Sequence, residues 1–290
     1  MNSRIEGSPE ADPWSLERWQ QSSFASSAYA DQISLMTKDA SEALLQSLAV
    51  KEGESVLDVA CGPGDPSLRL GQCIGRTGMV VAVDAIDALT RTTARRAREA
   101  GLRLAAVQSR GELLPFASES FDALSCRFGV MFFKNPAHAL IEAHRVLRCR
   151  GRATYVVWGP REHNIYFTAL HETLEACGSP PPEVHQETPT PFQFSEQDAL
   201  ASLMRAAGFE QVQEQTCAIR MRFPGLQPRE LLDLHRRISP AIEDRVADLD
   251  QAVVEVVRNQ LAEKVQRWFN EGHLELPGEI MLVSGKASSS

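Results

Sequence analysis

The chain has 290 residues, of which 43% are hydrophobic and 23% are charged, and its formal net charge at pH 7 is −8. This length and composition suit one large globular domain or a domain with a cap, and the acidic balance disfavours nucleic acid as the partner. No stretch reaches the roughly 18 apolar residues of a membrane span, and the N-terminus lacks a signal-peptide core, so a cytoplasmic location is predicted.

The predicted elements begin after residues 1–13, which are typical of a disordered lead-in. Residues 14–50 have apolar positions at helical spacing and predict an N-terminal helical lid. Short apolar runs then alternate with amphipathic segments as far as Gly159. The predicted strands here are 55–60, 79–84, 102–108, 121–128 and 153–159, and the predicted helices are 66–76, 87–100 and 136–148. This alternation predicts a parallel sheet covered by helices on both faces.

The pattern is looser after Gly159. The expected elements there are a helix over 164–176, a proline-rich loop over 178–192, a helix over 195–209 with Ser195 as N-cap, a strand over 211–223, two or three helices over 228–271 and a strand over 278–287. The predicted organisation is therefore an α/β core over 51–223 with a lid insertion at 160–192, a helical insertion at 224–273, a final core strand in 274–287 and a tail at 288–290.

The segment SVLDVACGPGDPSL, residues 55–68, places Gly62 and Gly64 between the first strand and the next helix. Glycines let backbone N–H groups approach a ligand closely, and a helix N-terminus adds partial positive charge. Asp84 ends the second strand, where a carboxylate can accept hydrogen bonds from both hydroxyls of a ribose. Together these features predict a nucleoside cofactor at the carboxyl ends of the strands.

Two details of this segment distinguish between nucleoside cofactors. A nicotinamide dinucleotide site has the pattern G-x-G-x-x-G, whereas the chain from Gly62 reads GPGDPS, with Ser67 in place of the third glycine. Asp58 lies inside the first strand, four residues before Gly62. A carboxylate there suits a ligand that carries an ammonium group and no pyrophosphate.

From about Ala28 to Gly159 the chain resembles the class I S-adenosylmethionine-dependent methyltransferases. The type is the methyltransferase type 11 group, which includes ubiquinone/menaquinone-biosynthesis-like enzymes. The matching segments, in order, are VLDVACGPGDPSL, VVAVDAIDAL, GELLPFASESFDAL and CRFGVMFFKNPAHALIEAHRVLRCRGR. The resemblance implies S-adenosylmethionine as cofactor. It also implies a Rossmann-like, seven-stranded, mostly parallel sheet with helices on both faces, an antiparallel last strand and a helical lid.

The resemblance further implies a set of cofactor-binding residues. The methionine part would be surrounded by Asp58, Cys61, Gly62 and Gly64, and the ribose would be held by Asp84 and flanked by Ala85 and Ile86. Gly111 and Glu112 would lie beside the adenine, and Arg127 and Phe128 would line the sulfonium end. Tyr29 belongs to the segment that would fold over the cofactor. One position departs from the family. Relatives usually carry an aspartate that accepts a hydrogen bond from the adenine amino group where this chain has Arg110, and a guanidinium is donor-only. Four alternatives stay open: Ser109 or a backbone carbonyl replaces the aspartate, adenine binding is weaker, Arg110 stacks on the ring, or Arg110 is a plain surface residue.

The catalytic candidate is His163, in WGPREHN just after the fifth strand. A histidine can titrate near neutral pH and act as a general base. His171, on the following helix, is a weaker candidate, and Cys61 is a poor nucleophile because the cofactor loop needs small residues for room. The six cysteines and seven histidines lack metal-ligand spacing, so no metal site is expected.

The sequence therefore predicts a methyltransferase that acts on oxygen or carbon of a small, partly apolar molecule, phenol- or quinone-like in type. Aromatic residues in the predicted lid segments suggest an apolar acceptor pocket. Two alternatives stay open: a small-amine N-methyltransferase and a non-catalytic cofactor-binding protein. The expected partner is the small-molecule acceptor, without nucleic acid or a membrane span, and a homodimer is left open.

Overall fold

A computed structural model describes residues 16–21, 29–181 and 189–288 of the chain. The strands are β1 (Ser55–Val59), β2 (Met79–Asp84), β3 (Leu104–Gln108), β4 (Phe121–Arg127), β5 (Leu147–Trp158), β6 (Phe209–Pro224), β7 (Phe269–Asn270) and β8 (His273–Ala287). The helices are α1 (Leu16–Gln21), α2 (Ala30–Met36), α3 (Lys38–Leu48), α4 (Ser67–Cys73), α5 (Asp87–Glu99), α6 (Pro136–Val146), α7 (Ile165–Ala176), α8 (Ala199–Ala206), α9 (Leu231–Ile238), α10 (Pro240–Ala247) and α11 (Gln251–Val265). The predicted lead-in, residues 182–188 of the predicted loop and the last two residues of the predicted tail lie outside the described residues.

The described strands form one eight-stranded sheet in the order β3-β2-β1-β4-β5-β8-β6, with β7 paired to β8. The pairs from β3 to β5 are parallel, whereas β8 is antiparallel to both β5 and β6. The predicted Rossmann-like fold with an antiparallel last strand is therefore confirmed. The additional strand is β7, whose two residues form a hairpin with β8 and are too few to produce a sequence pattern.

The centre of the sheet explains where a ligand can bind. β1 and β4 are buried along almost their whole length, because helices cover both faces. β1 lies between β2 and β4, so the chain leaves β1 toward one edge of the sheet and later returns on its other side. In open α/β sheets, the crevice at such a reversal, outside the carboxyl ends of the strands, is the usual binding position.

Four predicted elements differ from the structure. β5 begins at Leu147, inside the predicted helix over 136–148, because its pairing with β4 extends to Phe121–Leu147. The described part of the predicted helix over 14–50 is divided into α1, α2 and α3, and α2 ends where Thr37 donates its hydroxyl to the Ile33 carbonyl at 2.7 Å. α8 begins at Ala199, not after Ser195, because Asp198 takes a left-handed conformation with φ of 67°. β8 begins at His273, since its register with β6 extends to the pair Pro224–His273.

The predicted helical insertion contains α9, α10 and α11, which lie between β6 and β7 along the chain. Their buried faces carry Leu231, Leu234, Ile242 and Leu261, and these join the same hydrophobic core as the sheet. Within the described ranges, no helix has both the length and the apolar character needed to cross a membrane.

Candidate functional site

The turn between β1 and α4 forms one wall of the site. Gly62 and Gly64 have φ of 54° and 111°, left-handed conformations that favour glycine. A Cβ added at Gly64 would lie 3.2 Å from the hydroxyl of Thr93, which itself donates to the Gly62 carbonyl at 2.9 Å. The loop is therefore held against α5. Both glycines take conformations that favour glycine, and Gly64 is also crowded by Thr93.

Asp84, the last residue of β2, connects this turn to the next crossover. One carboxylate oxygen accepts the Gly62 N–H at 2.9 Å, and the other accepts the Ile86 N–H at 2.9 Å. Burial raises the pKa of Asp84 from 3.8 to about 6, although these backbone hydrogen bonds lower it. Burial thus removes the hydration of the Asp84 carboxylate, and no cationic side chain among the described residues forms an ion pair with it.

Asp58 is fully buried beneath the glycine turn. Its carboxylate accepts hydrogen bonds from the hydroxyls of Ser125, at 2.6 Å, and of Ser67. Burial raises the pKa of Asp58 to about 6, against the lowering effect of the two serines and Arg127. Burial and the neighbouring carboxylates Asp84 and Asp58 also raise the pKa of the Cys61 thiol, so Cys61 is a neutral side chain.

A buried ion pair joins three separate segments beside the turn. Arg127, at the end of β4, donates to the Asp65 carboxylate at 2.9 Å and to the Asp65 carbonyl at 2.6 Å. The same guanidinium donates to the hydroxyls of Ser41, at 2.8 Å, and Thr37. Ser41 in turn donates to Asp65 at 2.7 Å. The start of α3, the glycine turn and β4 are thus fixed to one another.

A cavity of about 1120 Å³ opens at these strand ends. Among its lining residues are nine of those predicted to bind the cofactor: Cys61, Gly62, Asp84, Ala85, Ile86, Gly111, Glu112, Arg127 and Phe128. Gly111 leaves room for a neighbouring ring, because a Cβ there would lie 2.7 Å from Phe133. The structure therefore brings together residues from four strand ends around one space.

Four predicted site residues lie elsewhere. Asp58 is buried beneath the turn and Gly64 is buried within it, and neither lines the cavity. The ring of Tyr29 lies 5.9 Å from the Arg237 guanidinium. His163 is 54% exposed, with Nδ1 at 3.0 Å from the Glu279 carboxylate, which raises the pKa of His163.

An aromatic wall runs from the cofactor end of the cavity toward the α7–α10 helices. Phe128 stacks on Trp158, with ring centroids 4.1 Å apart, and Trp158 meets the edge of Phe167 at 5.1 Å. Phe167 contacts Tyr166 at 5.0 Å, and Tyr166 stacks on His235 at 3.9 Å. Phe128 holds a left-handed backbone with φ of 58°, which costs about 1 kcal/mol or more for a non-glycine residue.

Sequence reasoning missed His235 and Arg245, which also line the cavity. Arg245 is buried on α10, and His235 is buried on α9. A signal was present for His235, because the buried positions Leu231, Leu234, His235 and Ile238 recur at helical spacing. A histidine on an apolar helix face predicts a buried imidazole, whereas no local pattern marks Arg245.

The ubiE/COQ5 methyltransferase family pattern matches residues 29–172, about half of the chain. The chain is similar to the ubiquinone/menaquinone biosynthesis C-methyltransferase of Blochmanniella pennsylvanica, with 35% identity over 122 residues, 41% of this chain and 46% of the relative. The corresponding enzyme of Pseudoalteromonas translucida is 29% identical over 177 residues, 58% of this chain and 70% of the relative. The match thus spans less than half the length of the first relative.

Solved structures support the same fold. The YcgJ protein from Bacillus subtilis superposes with a TM-score of 0.57 at 16% identity, covering 87% of this chain and 100% of that one. A phosphoethanolamine N-methyltransferase 2 from Haemonchus contortus, solved with S-adenosylhomocysteine, has a TM-score of 0.55 at 14% identity and covers 91% of this chain and 58% of that one. At these identities the likeness is one of fold.

The buried ion pair predicts a non-additive loss of stability. Arg127→Met and Asp65→Asn should each lower the free energy of unfolding by about 3–5 kcal/mol, because either change leaves a buried group without its partner. The double variant should lose less than the sum. Urea denaturation of the four proteins measures this. Arg69→Met is the control: it removes a 30%-exposed partner of Asp65 and should cost within about 1 kcal/mol. Strict additivity would show that the pair is not coupled.

The raised pKa of Asp84 predicts a pH-dependent stability in the absence of ligand. The folded state holds this proton more tightly than the unfolded chain does. The resulting stabilisation is fully present below pH 3.8 and is lost as the pH rises through about 6. Between these values, the free energy of unfolding of Asp84→Asn should gain up to about 3 kcal/mol relative to the wild type. The exposed Glu99→Gln is the control for net charge. A difference that stays constant with pH would contradict the prediction.

Proposed function

Because the chain belongs to the class I S-adenosylmethionine-dependent methyltransferases, in their ubiquinone/menaquinone-biosynthesis-like group, we propose that it methylates oxygen or carbon of a small, partly apolar, phenol- or quinone-like acceptor. The observation that carries this proposal is one continuous cavity of about 1120 Å³. Its lining includes both the Gly62–Asp84 region and the aromatic wall of Phe128, Trp158 and Phe167. Small-ligand sites are commonly about 300–1,000 Å³, so this space suits a cofactor together with an acceptor.

The donor set at the strand ends fits S-adenosylmethionine. Each oxygen of Asp84 already accepts one backbone N–H, from Gly62 or Ile86, and a carboxylate oxygen can accept a second hydrogen bond. The Asp84 carboxylate therefore keeps acceptor capacity for the ribose hydroxyls. Hydrogen bonds from those hydroxyls would also stabilise the ionised form that burial disfavours.

The adenine amino group needs an acceptor that Arg110 does not provide. Ser109 lines the cavity, and its hydroxyl donates to the Leu113 carbonyl at 2.6 Å. Its proton is thereby directed away, and its oxygen lone pairs stay available to accept a hydrogen bond. We assign Ser109 as the acceptor for the adenine amino group, with Arg110 exposed at the rim.

When bound, S-adenosylmethionine would supply a methyl group whose carbon is attacked by the acceptor atom in line with the carbon–sulfur bond, and the sulfur would leave as neutral S-adenosylhomocysteine. The chain's contribution is to align the acceptor and exclude water. Phe128, fixed by its stack on Trp158, and Phe167 provide a rigid apolar surface for a flat ring. A phenol-like acceptor can lie against this wall with its reacting atom toward the strand ends.

His163 is the proposed general base. Its Nδ1 contacts Glu279, an arrangement in which a carboxylate orients an imidazole and leaves Nε2 for the substrate proton. Its neighbours Arg161 and Glu162 line the cavity, and His163 itself lies just outside the lining. Because the pKa of His163 is raised, its neutral form, which can accept a proton, becomes the main form only at a pH above the ordinary pKa of histidine.

Cofactor binding is the first prediction of the proposed function. S-adenosylhomocysteine should bind the wild type, and Asp84→Ala should weaken binding by about 100-fold or more, because two hydrogen bonds to a carboxylate are lost. Asp87→Ala is the matched control, since that exposed carboxylate pairs with Arg91 on α5. Calorimetric titration, with NAD as a second ligand, gives the affinities. A folded wild type that binds neither S-adenosylmethionine nor S-adenosylhomocysteine would remove the main support for the proposal.

The acceptor atom is tested separately, with a methyl-labelled cofactor and a panel of phenols, hydroquinones and amines. Label on oxygen or carbon supports the proposal, and label on nitrogen supports the amine alternative. Turnover of any acceptor excludes a protein that only binds the cofactor.

A general base at His163 predicts a specific pH profile. His163→Gln should lower kcat by about 100-fold or more and flatten its rise with pH. Glu279→Gln should keep the rise but shift its midpoint to lower pH, because Glu279 holds the pKa of His163 up. Steady-state rates from pH 5.5 to 9 measure both. Unchanged rates in His163→Gln would make this side chain an ordinary surface residue.

A further inference from the structure

The helix-lined end of the cavity carries a cluster of buried polar side chains from separate elements. Tyr166 and His171 lie on α7, His235 on α9 and Arg245 on α10, and all four line the cavity. They stand at the end of the aromatic wall, because Tyr166 stacks on His235. None of these four side chains has a role in the cofactor binding or the proton removal proposed above.

Arg245 is a buried cation without a carboxylate partner among the described residues. It is 8% exposed, and burial lowers its pKa. One terminal nitrogen donates to His171 Nδ1 at 2.9 Å, and the other donates to the Ser179 carbonyl. Its Nε has no hydrogen-bond partner. Buried charges are normally paired, so this guanidinium has unused capacity for an anion.

His171 does not supply the missing negative charge. A guanidinium only donates, so Nδ1 of His171 is the acceptor in their contact and the neutral ring carries its proton on Nε2. Burial, Arg245 and Arg161 lower the pKa of His171 to about 4. His171 is therefore a neutral positioning residue for Arg245, and its remaining ring atom is a donor.

Tyr166 and His235 also have unused polar atoms. The Tyr166 hydroxyl and His235 Nε2 are buried without a hydrogen-bond partner. Tyr166 is 3% exposed and His235 is 2% exposed, and burial lowers the pKa of His235 to about 3. A buried polar group left unpaired costs about 1–3 kcal/mol, so these atoms are typical of a surface completed by a ligand.

Two further charged groups act on this end of the cavity. Arg161 is exposed, lines the cavity and lowers the pKa of Arg245 by repulsion, whereas Glu175 raises it by attraction. Among the described ion pairs none joins Glu175 to Arg245. Glu175 and the lining residue Glu162 offset part of the positive charge of Arg161 and Arg245, so the case for an anion rests on the unpartnered Nε of Arg245 and on the other unpartnered polar atoms.

We propose that Arg245 binds an anionic oxygen of the methyl acceptor, with the Tyr166 hydroxyl as an additional hydrogen-bond donor. This inference rests on the proposed function, because it assigns the acceptor's chemistry within the same cavity. The aromatic wall selects a flat apolar skeleton, and the cation selects an acidic substituent on it. An aromatic carboxylate and an ionised phenol both have this chemistry.

The test uses aromatic probes of matched shape and the full-length protein with saturating S-adenosylhomocysteine. The probes are 2-naphthoate, its neutral analogue 2-naphthamide, and 4-nitrophenol, whose phenolate absorbs at longer wavelength than its phenol. Calorimetry and absorbance are recorded for the wild type, Arg245→Gln, Arg245→Lys and Arg229→Gln. Arg229 is a 60%-exposed arginine of the same helical insertion and serves as the matched control.

The expected result is that Arg245→Gln weakens binding of 2-naphthoate or 4-nitrophenolate by about 10- to 100-fold, with Arg245→Lys intermediate. Binding of 2-naphthamide should be insensitive to Arg245, and Arg229→Gln should match the wild type. Loss of 2-naphthoate affinity alone assigns a carboxylate site, and loss of 4-nitrophenolate affinity alone assigns an ionised-phenol site.

The inference is overturned if the wild type binds neither anion, or if Arg245→Gln binds both as the wild type does. The affinity for S-adenosylhomocysteine is measured for every variant, and it distinguishes failure of the anion site from failure of the proposed function. Normal cofactor affinity without an effect of Arg245 rejects only the anion site. Loss of cofactor binding in the wild type rejects the proposed function itself.

Discussion

The Arg127–Asp65 pair is the interaction on which the arrangement of the site depends. Both partners are buried, so each needs the other to offset its lost hydration. Arg127 belongs to β4, Asp65 to the glycine turn, and the hydroxyls of Thr37 and Ser41 that complete the network belong to the start of α3. Three segments distant in sequence therefore meet at one charge, and the N-terminal helices are fixed to the sheet at the edge of the cavity.

Around that fixed point, the site carries features that cost stability without a ligand. Burial favours the protonated forms of Asp84 and Asp58, and Phe128 and Ala60 hold left-handed backbone at the ends of adjacent strands. Arg245 adds a buried cation without a carboxylate partner in the described chain. Apart from Asp58, which lies in β1 beneath the glycine turn, these costs fall at the two ends of one cavity. This distribution is expected where ligand binding supplies the missing hydrogen bonds.

The sequence predicted the part of the molecule in which structure is encoded locally. The turn with Gly62 and Gly64, and Asp84 at the end of β2, follow from patterns within about twenty residues, so the parallel core and its cofactor edge were accessible. The break between α2 and α3 was not, because Thr37 is held there by Arg127, ninety residues away. The contact between Arg245 and His171 was equally hidden, because it joins α10 to α7 and neither segment carries a motif. The sequence offered His171 only as a weaker candidate for a base.

The two ends of the cavity imply complementary contributions to methyl transfer. A cation that binds an acidic oxygen favours its ionised form, which is also the form that attacks a methyl group most readily. If the bound oxygen is conjugated with the methylated atom, Arg245 lowers the demand on a general base at His163. If it is a remote carboxylate, Arg245 only positions the ring, and proton removal falls on His163. The division of labour between these residues is therefore set by where the acceptor carries its charge.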